Sequence, residues 1–337
     1  MLRAIFYRIL GAIPVLVLVA FGIFALLRLA PGDAASALAP EDASEADLQR
    51  LREQWGLDES LPVQFIHFLG NMIRLDFGIS YRYNAPINGL IADRLPATLE
   101  LAVIALLIAT IVAVPLGIIT ALRKGSFADA FGSLLAVLGV SAPSFWVGIL
   151  LVLLFSAHLN LLPSSGRLPL ESPLAPGTGF FVIDSLIQGQ FATLKQVIVQ
   201  ILLPALTLAF SMVGIITRIT RSAVIDVGQE EFVTTAVAKG LNRQQIVRDH
   251  LLPNAAIPIV TIIGLELGVL ISGSIIVEVV FSWPGLGSLL YQAVSVRDIP
   301  LTTGIVVTYT LLFILINIVV DLVYMLLDPR LRTGKTV

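Results

Sequence analysis

Ionisable side chains inside long apolar runs are the residues of this chain best placed to do chemistry, because at membrane depth each must face a cavity, a partner or water. Five stand out: Glu100, His158, Glu266, Glu278 and Asp321. They do not complete a catalytic set. No nucleophile lies beside a base, and His67, His158 and His250 are scattered without the spacing of metal ligands. The chain has no cysteine, which removes disulfides and thiolate metal sites. Gly334-Lys335-Thr336 imitates the end of a phosphate-binding loop, but the first glycine of that motif would fall on Pro329. Recognition and mechanical work remain, rather than bond making.

Glu100, His158 and Glu278 fall near the ends of their apolar runs and read as interfacial side chains within reach of water. Glu266 lies deeper, and Gly264, Gly268 and Ser272 recur around it every four residues, a small-residue stripe that lets another helix come close. Two readings stand for Glu266: a place at a helix interface or along a translocation path, or a structural carboxylate hydrogen-bonded between helices. Asp321 has arginines such as Arg28 and Arg330 as candidate partners, and the sequence does not decide whether it pairs with either.

The elements that position these residues are membrane helices. The composition is 57% hydrophobic and 13% charged, with a mean hydropathy of +0.93, that of an integral membrane protein. A net charge of −2 gives no reason to expect nucleic acid. Crossing a bilayer takes about 20 apolar residues. Six runs qualify: Ile9–Leu27, Ala97–Leu122, Phe131–His158, Val197–Ile216, Ile257–Phe281 and Leu301–Leu327. Pro143 predicts a tilt or kink in the third. The first follows Arg3 and Arg8 as a secretion signal would, but about 19 apolar residues exceed the core of a cleaved signal, so it is expected to remain as a span.

Lysine and arginine in short connections set orientation. Twelve share the side of the termini and nine the other. Six of the nine lie in one connection of roughly 65 residues, a length at which loop charge says little. Both termini are therefore expected in the cytoplasm. The expected fold class is an all-α integral membrane protein in a single domain over 1–337. It has six transmembrane helices, a long external first loop at 31–96 and a cytoplasmic coupling loop at 217–256.

The external loop holds two amphipathic segments. In Glu41–Trp55, Leu48, Leu51 and Trp55 share a face, with Glu41, Asp42 and Glu45 leading and Arg50 and Arg52 following. In Pro62–Leu75, Phe65, Ile66, Leu69, Met72 and Ile73 form one stripe. The loop reads either as a cap over helix ends or as a dock for an external partner, and both can hold. A second external segment, Asn160–Thr193, is irregular and proline-rich, with a short helix expected around Val182–Ile187.

Glu231–Pro258 is a polar, helix-forming insert between two apolar runs. It reads as two short amphipathic helices joined at Gly240, a lever on the membrane surface for another protein to push. Gly240 permits the φ > 0 or close approach that breaks one helix and begins the next. Leu252-Pro253 is expected to end the second and aim the chain into the next span. Arg221, Lys239 and Arg243 are positioned to contact acidic or polar groups on a partner.

Thr234-Thr235-Ala236, Gly240 and Leu252-Pro253 resemble the cytoplasmic loop of bacterial ABC-importer permeases. That loop runs Glu-Ala-Ala, three residues, Gly, nine residues, Ile, one residue, Leu-Pro; here two threonines and His250 depart from it. Thr217-Arg218, Thr220-Arg221-Ser222, the segments Ala236–Leu241 and Glu278–Gly287, and Asp328-Pro329-Arg330-Leu331-Arg332 look like the dipeptide, oligopeptide and nickel branch. Nearer the front, Pro31-Gly32-Asp33, Asp76–Tyr81 and Ala97–Leu101 match as well. The resemblance runs the full length and is greatest to the first permease subunit of dipeptide importers.

The resemblance implies a heterodimer with a second related permease, two cytoplasmic ATPases and an external substrate-binding protein, in the bacterial inner membrane with its lipid around it. ATP and magnesium would be bound by the ATPases, with no cofactor and no metal in this chain. Thr234, Thr235, Ala236, Lys239, Gly240, Arg243, Leu252 and Pro253 would couple to the ATPases, and Glu41, Asp42, Glu45, Arg50 and Arg52 would dock the binding protein. The cargo implied is a dipeptide or short oligopeptide, with nickel or a glutathione-like solute as the alternative. A self-contained secondary transporter would instead show matching broken helices or a midplane carboxylate pair, and an intramembrane enzyme would show paired catalytic residues.

Overall fold

The computed structural model describes residues 2–29, 44, 49, 58–168, 174–175 and 177–327. Among these the chain is helical, with one isolated β-bridge, Ile79 to Pro86. The helices are α1 (Leu2–Leu29), α2 (Leu61–Ile73), α3 (Ile87–Leu122), α4 (Phe127–Ser141), α5 (Ser144–Leu151), α6 (Phe181–Ile187), α7 (Phe191–Gly228) and α8 (Glu231–Ala238). They continue as α9 (Arg243–Gln245), α10 (Leu252–Gly273), α11 (Ile275–Val280), α12 (Leu286–Ser295) and α13 (Ile299–Leu327). Two π-helical stretches, Val152–His158 and Ile246–Leu251, extend α5 and join α9 to α10. The segment Glu41–Trp55, expected to be external, with Glu41, Asp42, Glu45, Arg50 and Arg52, lies outside the described residues, apart from the isolated positions Ser44 and Gln49.

Among the described residues four helices are long and apolar enough to cross a membrane: Ile87–Leu122, Phe191–Gly228, Arg243–Leu270 and Ile299–Val323. The expected third span departs from its reading. It is a pair, Phe127–Ser141 and Ser144–His158, bent by 106° rather than one kinked helix. The cause is local: proline pushes the residue before it out of the α region, and Ala142 is extended at φ −83, ψ 128. The expected fifth span ends early as well. α10 stops at Gly273 and a separate short helix, Ile275–Val280, follows Ser274.

The chain divides into two compact units. The larger comprises Arg94–Leu289 and Leu315–Val337. Its centre is α7, against which α4, α5, α6 and α10 pack. Lipid supplies no hydrophobic drive between helices, so close backbone approach at small residues does that work. A Cβ added at Gly139 of α4 would stand 2.7 Å from the Phe210 carbonyl oxygen of α7. One at Gly214 of α7 would stand 2.5 Å from the Ala136 carbonyl. Further along, Ala121, Ala223, Val224, Ala255 and Ile259 bring α3, α7 and α10 together.

The smaller unit comprises Leu2–Asp93 and Leu290–Ile314. Here α2 packs on α1, the Phe65 ring meeting Phe21 edge-on at 5.8 Å and Phe24 at 5.3 Å. The turn at 76–86 is fastened to the start of α13. Ser80 Oγ and the Arg82 amide donate to Asp298 Oδ2 at 2.6 and 3.0 Å, and Asp298 Oδ1 caps the helix by accepting from the Leu301 amide at 3.2 Å.

Candidate functional site

The lever segment is built on a small apolar core of its own. Val233 and Ala236 of α8 pack against Ile246 and Leu251, with Val227, Leu241 and Val247 around them. That burial turns Thr234, Thr235 and Lys239 outward, beside the exposed apolar side chains of Phe232 and Val237. Gly240 has φ +80. Its amide donates to the Val237 carbonyl at 2.9 Å and the Leu241 amide to the Ala236 carbonyl at 3.3 Å. This paired closure uses a left-handed residue to satisfy the last carbonyls of a helix. Asn242 then starts the next helix with a capping box: its side chain accepts from the Gln245 amide at 2.9 Å, and Gln245 Oε1 accepts from the Asn242 amide at 3.0 Å. The Asn-x-x-Gln spacing of Asn242 and Gln245 is the sequence signal of that cap, and it lies just after the break at Gly240.

Leu252-Pro253 does not end a helix. The chain is helical from Arg243 through the π-helical stretch into α10, with Pro253 in the first turn of α10. Proline removes one amide donor and crowds the preceding turn. A wider π turn immediately before it is one of the ways a helix accommodates such a break. The second half of the lever is thus continuous with a candidate span.

Two of the three cations expected to meet a partner are engaged within the chain. Arg221 of α7 grips Asp129 of α4 with two bonds, Nε to Oδ1 at 2.7 Å and Nη2 to Oδ2 at 3.0 Å. Arg243 Nη2 donates to the Leu122 carbonyl, the last of α3, at 2.7 Å. Lys239 is exposed.

Away from the lever, the larger unit holds buried polar anchors where interfacial side chains were expected. Glu278 is fully buried. Its carboxylate accepts from Thr98 Oγ1 at 2.9 Å, Ser274 Oγ at 3.0 Å and the Ser288 amide at 2.9 Å. Trp283, also fully buried, donates to the Ala97 carbonyl at 2.9 Å. Glu100 is 6% exposed and pairs with the equally buried Arg167 at 2.5 Å, while its other oxygen accepts from the Val182 amide at 2.7 Å. Arg167 also donates to the Gly179 carbonyl and lies 3.8 Å over the Phe181 ring. Burial draws its guanidinium below the ordinary value and Glu100 opposes that shift. Asp184 closes the same corner by accepting from the Thr178 and Gly179 amides. Composition could not show these pairs, because Glu100 and Arg167 are 67 positions apart and Thr98 and Glu278 are 180 apart.

His158 is exposed, as an interfacial residue would be. Glu266 is 8% exposed, on the same face of α10 as Ala255, Ile259 and Leu270. Val320 of this chain stands over Gly264, 2.5 Å from where its Cβ would be. Gly268 is buried; the side chains of Ser272 and Arg28, and the whole of Arg330, lie outside what the structure describes.

These anchors tie helices of the larger unit to one another, and comparison with known proteins says which family the chain belongs to. Residues 113–333 match the family described as binding-protein-dependent transport system inner membrane component, and residues 1–102 match its N-terminal component. The chain belongs to that family. It is 39% identical over 325 residues to the "Probable D,D-dipeptide transport system permease protein DdpB" of Escherichia coli (strain K12), covering 95% of each chain. It is 37% identical over 339 residues to the dipeptide transport system permease protein DppB of the same strain, covering 99% of this chain and 100% of that one. Among solved structures, the inward-facing MetNI methionine ABC transporter has a chain of the same fold. The TM-score is 0.52 at 17% identity, over 71% of this chain and 96% of that one. The protein is therefore a multi-pass membrane permease of this family.

Proposed function

We propose that this chain is one permease subunit of an importer that carries dipeptides or short oligopeptides across the bacterial inner membrane, driven by separate ATPases. The observation that carries the reading is the likeness, over nearly the whole of both chains, to permeases named for dipeptides. The chain contributes no catalysis; two cytoplasmic ATPases bind ATP and magnesium, and a second related permease completes the passage. Both termini and the lever face the cytoplasm, where Phe232, Thr234, Thr235, Val237 and Lys239 present a compact exposed surface to an ATPase. On the outer side a binding protein delivers peptide and docks on the first loop through Glu41, Asp42, Glu45, Arg50 and Arg52. The test is uptake of a labelled dipeptide by cells lacking this gene and by the same cells with it restored. Uptake returning only with the intact gene supports the reading, and equal uptake in both contradicts it.

A further inference from the structure

We infer that Arg221 and Asp129 form a transmission clasp that carries movement of the lever into α4, with Arg243 making the parallel connection to α3. The inference rests on the ATPase-driven reading above and names how the motion leaves the lever. Three observations carry it. First, the lever is fastened to the end of α7: Val227 joins the apolar core of Val233, Ala236, Ile246 and Leu251. A push on α8 therefore reaches α7 near Arg221.

Second, the bond from Arg221 to Asp129 has two points of attachment, at 2.7 and 3.0 Å. A forked pair fixes angle as well as distance, so it passes on rotation and not only pull. Asp129 is itself immobilised. It accepts from the Gly125 amide at 2.9 Å and from Ser133 Oγ at 3.4 Å, and its own amide is held by the N-cap Ser126 at 3.3 Å. The carboxylate thus welds the first turn of α4 to the turn that leaves α3. Third, Arg243 at the start of the second half of the lever holds the last carbonyl of α3, at Leu122. The two arginines converge on the α3–α4 corner, one from α7 beside the lever and one from the second half of the lever itself. Beyond that corner α4 runs to the 106° bend at Ala142-Pro143, and its close contacts at Gly139 and Gly214 keep it on α7. A tilt imposed at Asp129 consequently moves α4 as a stiff rod about that contact.

The experiment uses the assembled transporter in lipid vesicles, with both permeases, the ATPases and the binding protein, and reads peptide taken up per ATP hydrolysed. Asp129→Asn removes the charge at constant size, and Arg221→Lys keeps the charge but loses the fork. In both, uptake per ATP is expected to fall about tenfold, within the range of coupling between distant sites. Stimulated hydrolysis is expected to stay within about twofold of wild type, because the surface offered to the ATPase is intact. Should one variant fail to assemble, the other makes the same comparison. Uptake and hydrolysis falling in proportion, or uptake per ATP unchanged in either assembled variant, overturns the clasp. A wild-type complex showing no ATP-dependent peptide uptake would instead overturn the importer reading.

Discussion

Thr98 and Glu278 share a hydrogen bond of 2.9 Å across 180 residues of sequence, and Thr98 Oγ1 in turn accepts from the Leu286 amide at 2.8 Å. One hydroxyl therefore links α3, α11 and the first turn of α12. Among the described residues no cation pairs with the carboxyl group beside it; the Thr98 and Ser274 hydroxyls and the Ser288 amide at the start of a helix donate to it instead.

Removing that carboxylate strands its donors. Glu278→Ala should destabilise the protein by about 3 kcal/mol or more, since each buried donor left unpaired costs roughly 1–3 kcal/mol. Glu278→Gln should cost less, because its NH2 can face the Thr98 and Ser274 hydroxyls, which accept as well as donate, while its carbonyl oxygen takes the Ser288 amide. Thermal unfolding in detergent checks the order wild type, Gln, Ala. An Ala variant as stable as wild type would show that the network is unmade in solution.

The buried Arg167–Glu100 pair makes a different prediction. Losing one partner leaves a bare charge, so Arg167→Met or Glu100→Gln alone should cost about 3–5 kcal/mol, whereas the double replacement should be far milder than the sum. Unfolding of the two single variants and the double variant closes the cycle, and simple additivity would contradict the pairing.

What was legible in the sequence follows from the range over which each signal acts. The helices α2, α6 and α13 and the left-handed Gly240 are local matters of apolar periodicity and turn chemistry, and each was expected close to where it lies. By contrast, α3 begins well before Ala97 and α7 runs past Ile216 to Gly228, into the segment expected as the coupling loop, because polar helical turns carry no apolar signal. The 106° break at Pro143 was read as a kink because a proline states that a helix is disturbed, not by how much. Leu252-Pro253 was read as a helix end because the π-helical turn that absorbs the proline has no sequence signature of its own. Glu100 and Glu278 were read as wet because their partners lie far away along the chain. Arg221 and Arg243 were read as free cations for the same reason: Asp129 and Leu122 are 92 and 121 positions away.

Gly240 separates backbone strain from crowding, because no atom lies within 4 Å of an added Cβ and only its φ of +80 resists substitution. Asparagine tolerates that conformation better than a β-branched residue. Gly240→Asn should retain most peptide uptake, and Gly240→Val should lose most of it while still reaching the membrane. Equal activity in the two would mean that the left-handed joint is not needed for coupling.

Burial, with Asp298 nearby, holds the Tyr81 phenol above its ordinary value of 10.0. An acid kept neutral in the fold beyond its unfolded value contributes stability that is complete below that value and is lost as pH rises past it. The melting temperature should therefore drop more steeply in wild type than in Tyr81→Phe as pH is raised from about 9 to about 11. Parallel profiles for the two proteins would remove Tyr81 from the account.

The central claim is that this permease moves peptide only when separate ATPases work its lever. The most direct measurement is uptake of a labelled dipeptide into vesicles carrying this chain with its partner permease and ATPases. Binding protein is supplied on the outer side and ATP on the side of the lever. The account predicts accumulation that needs both ATP and binding protein and is abolished when the ATPases are left out. Accumulation by the permeases alone, driven by an ion gradient, would contradict it.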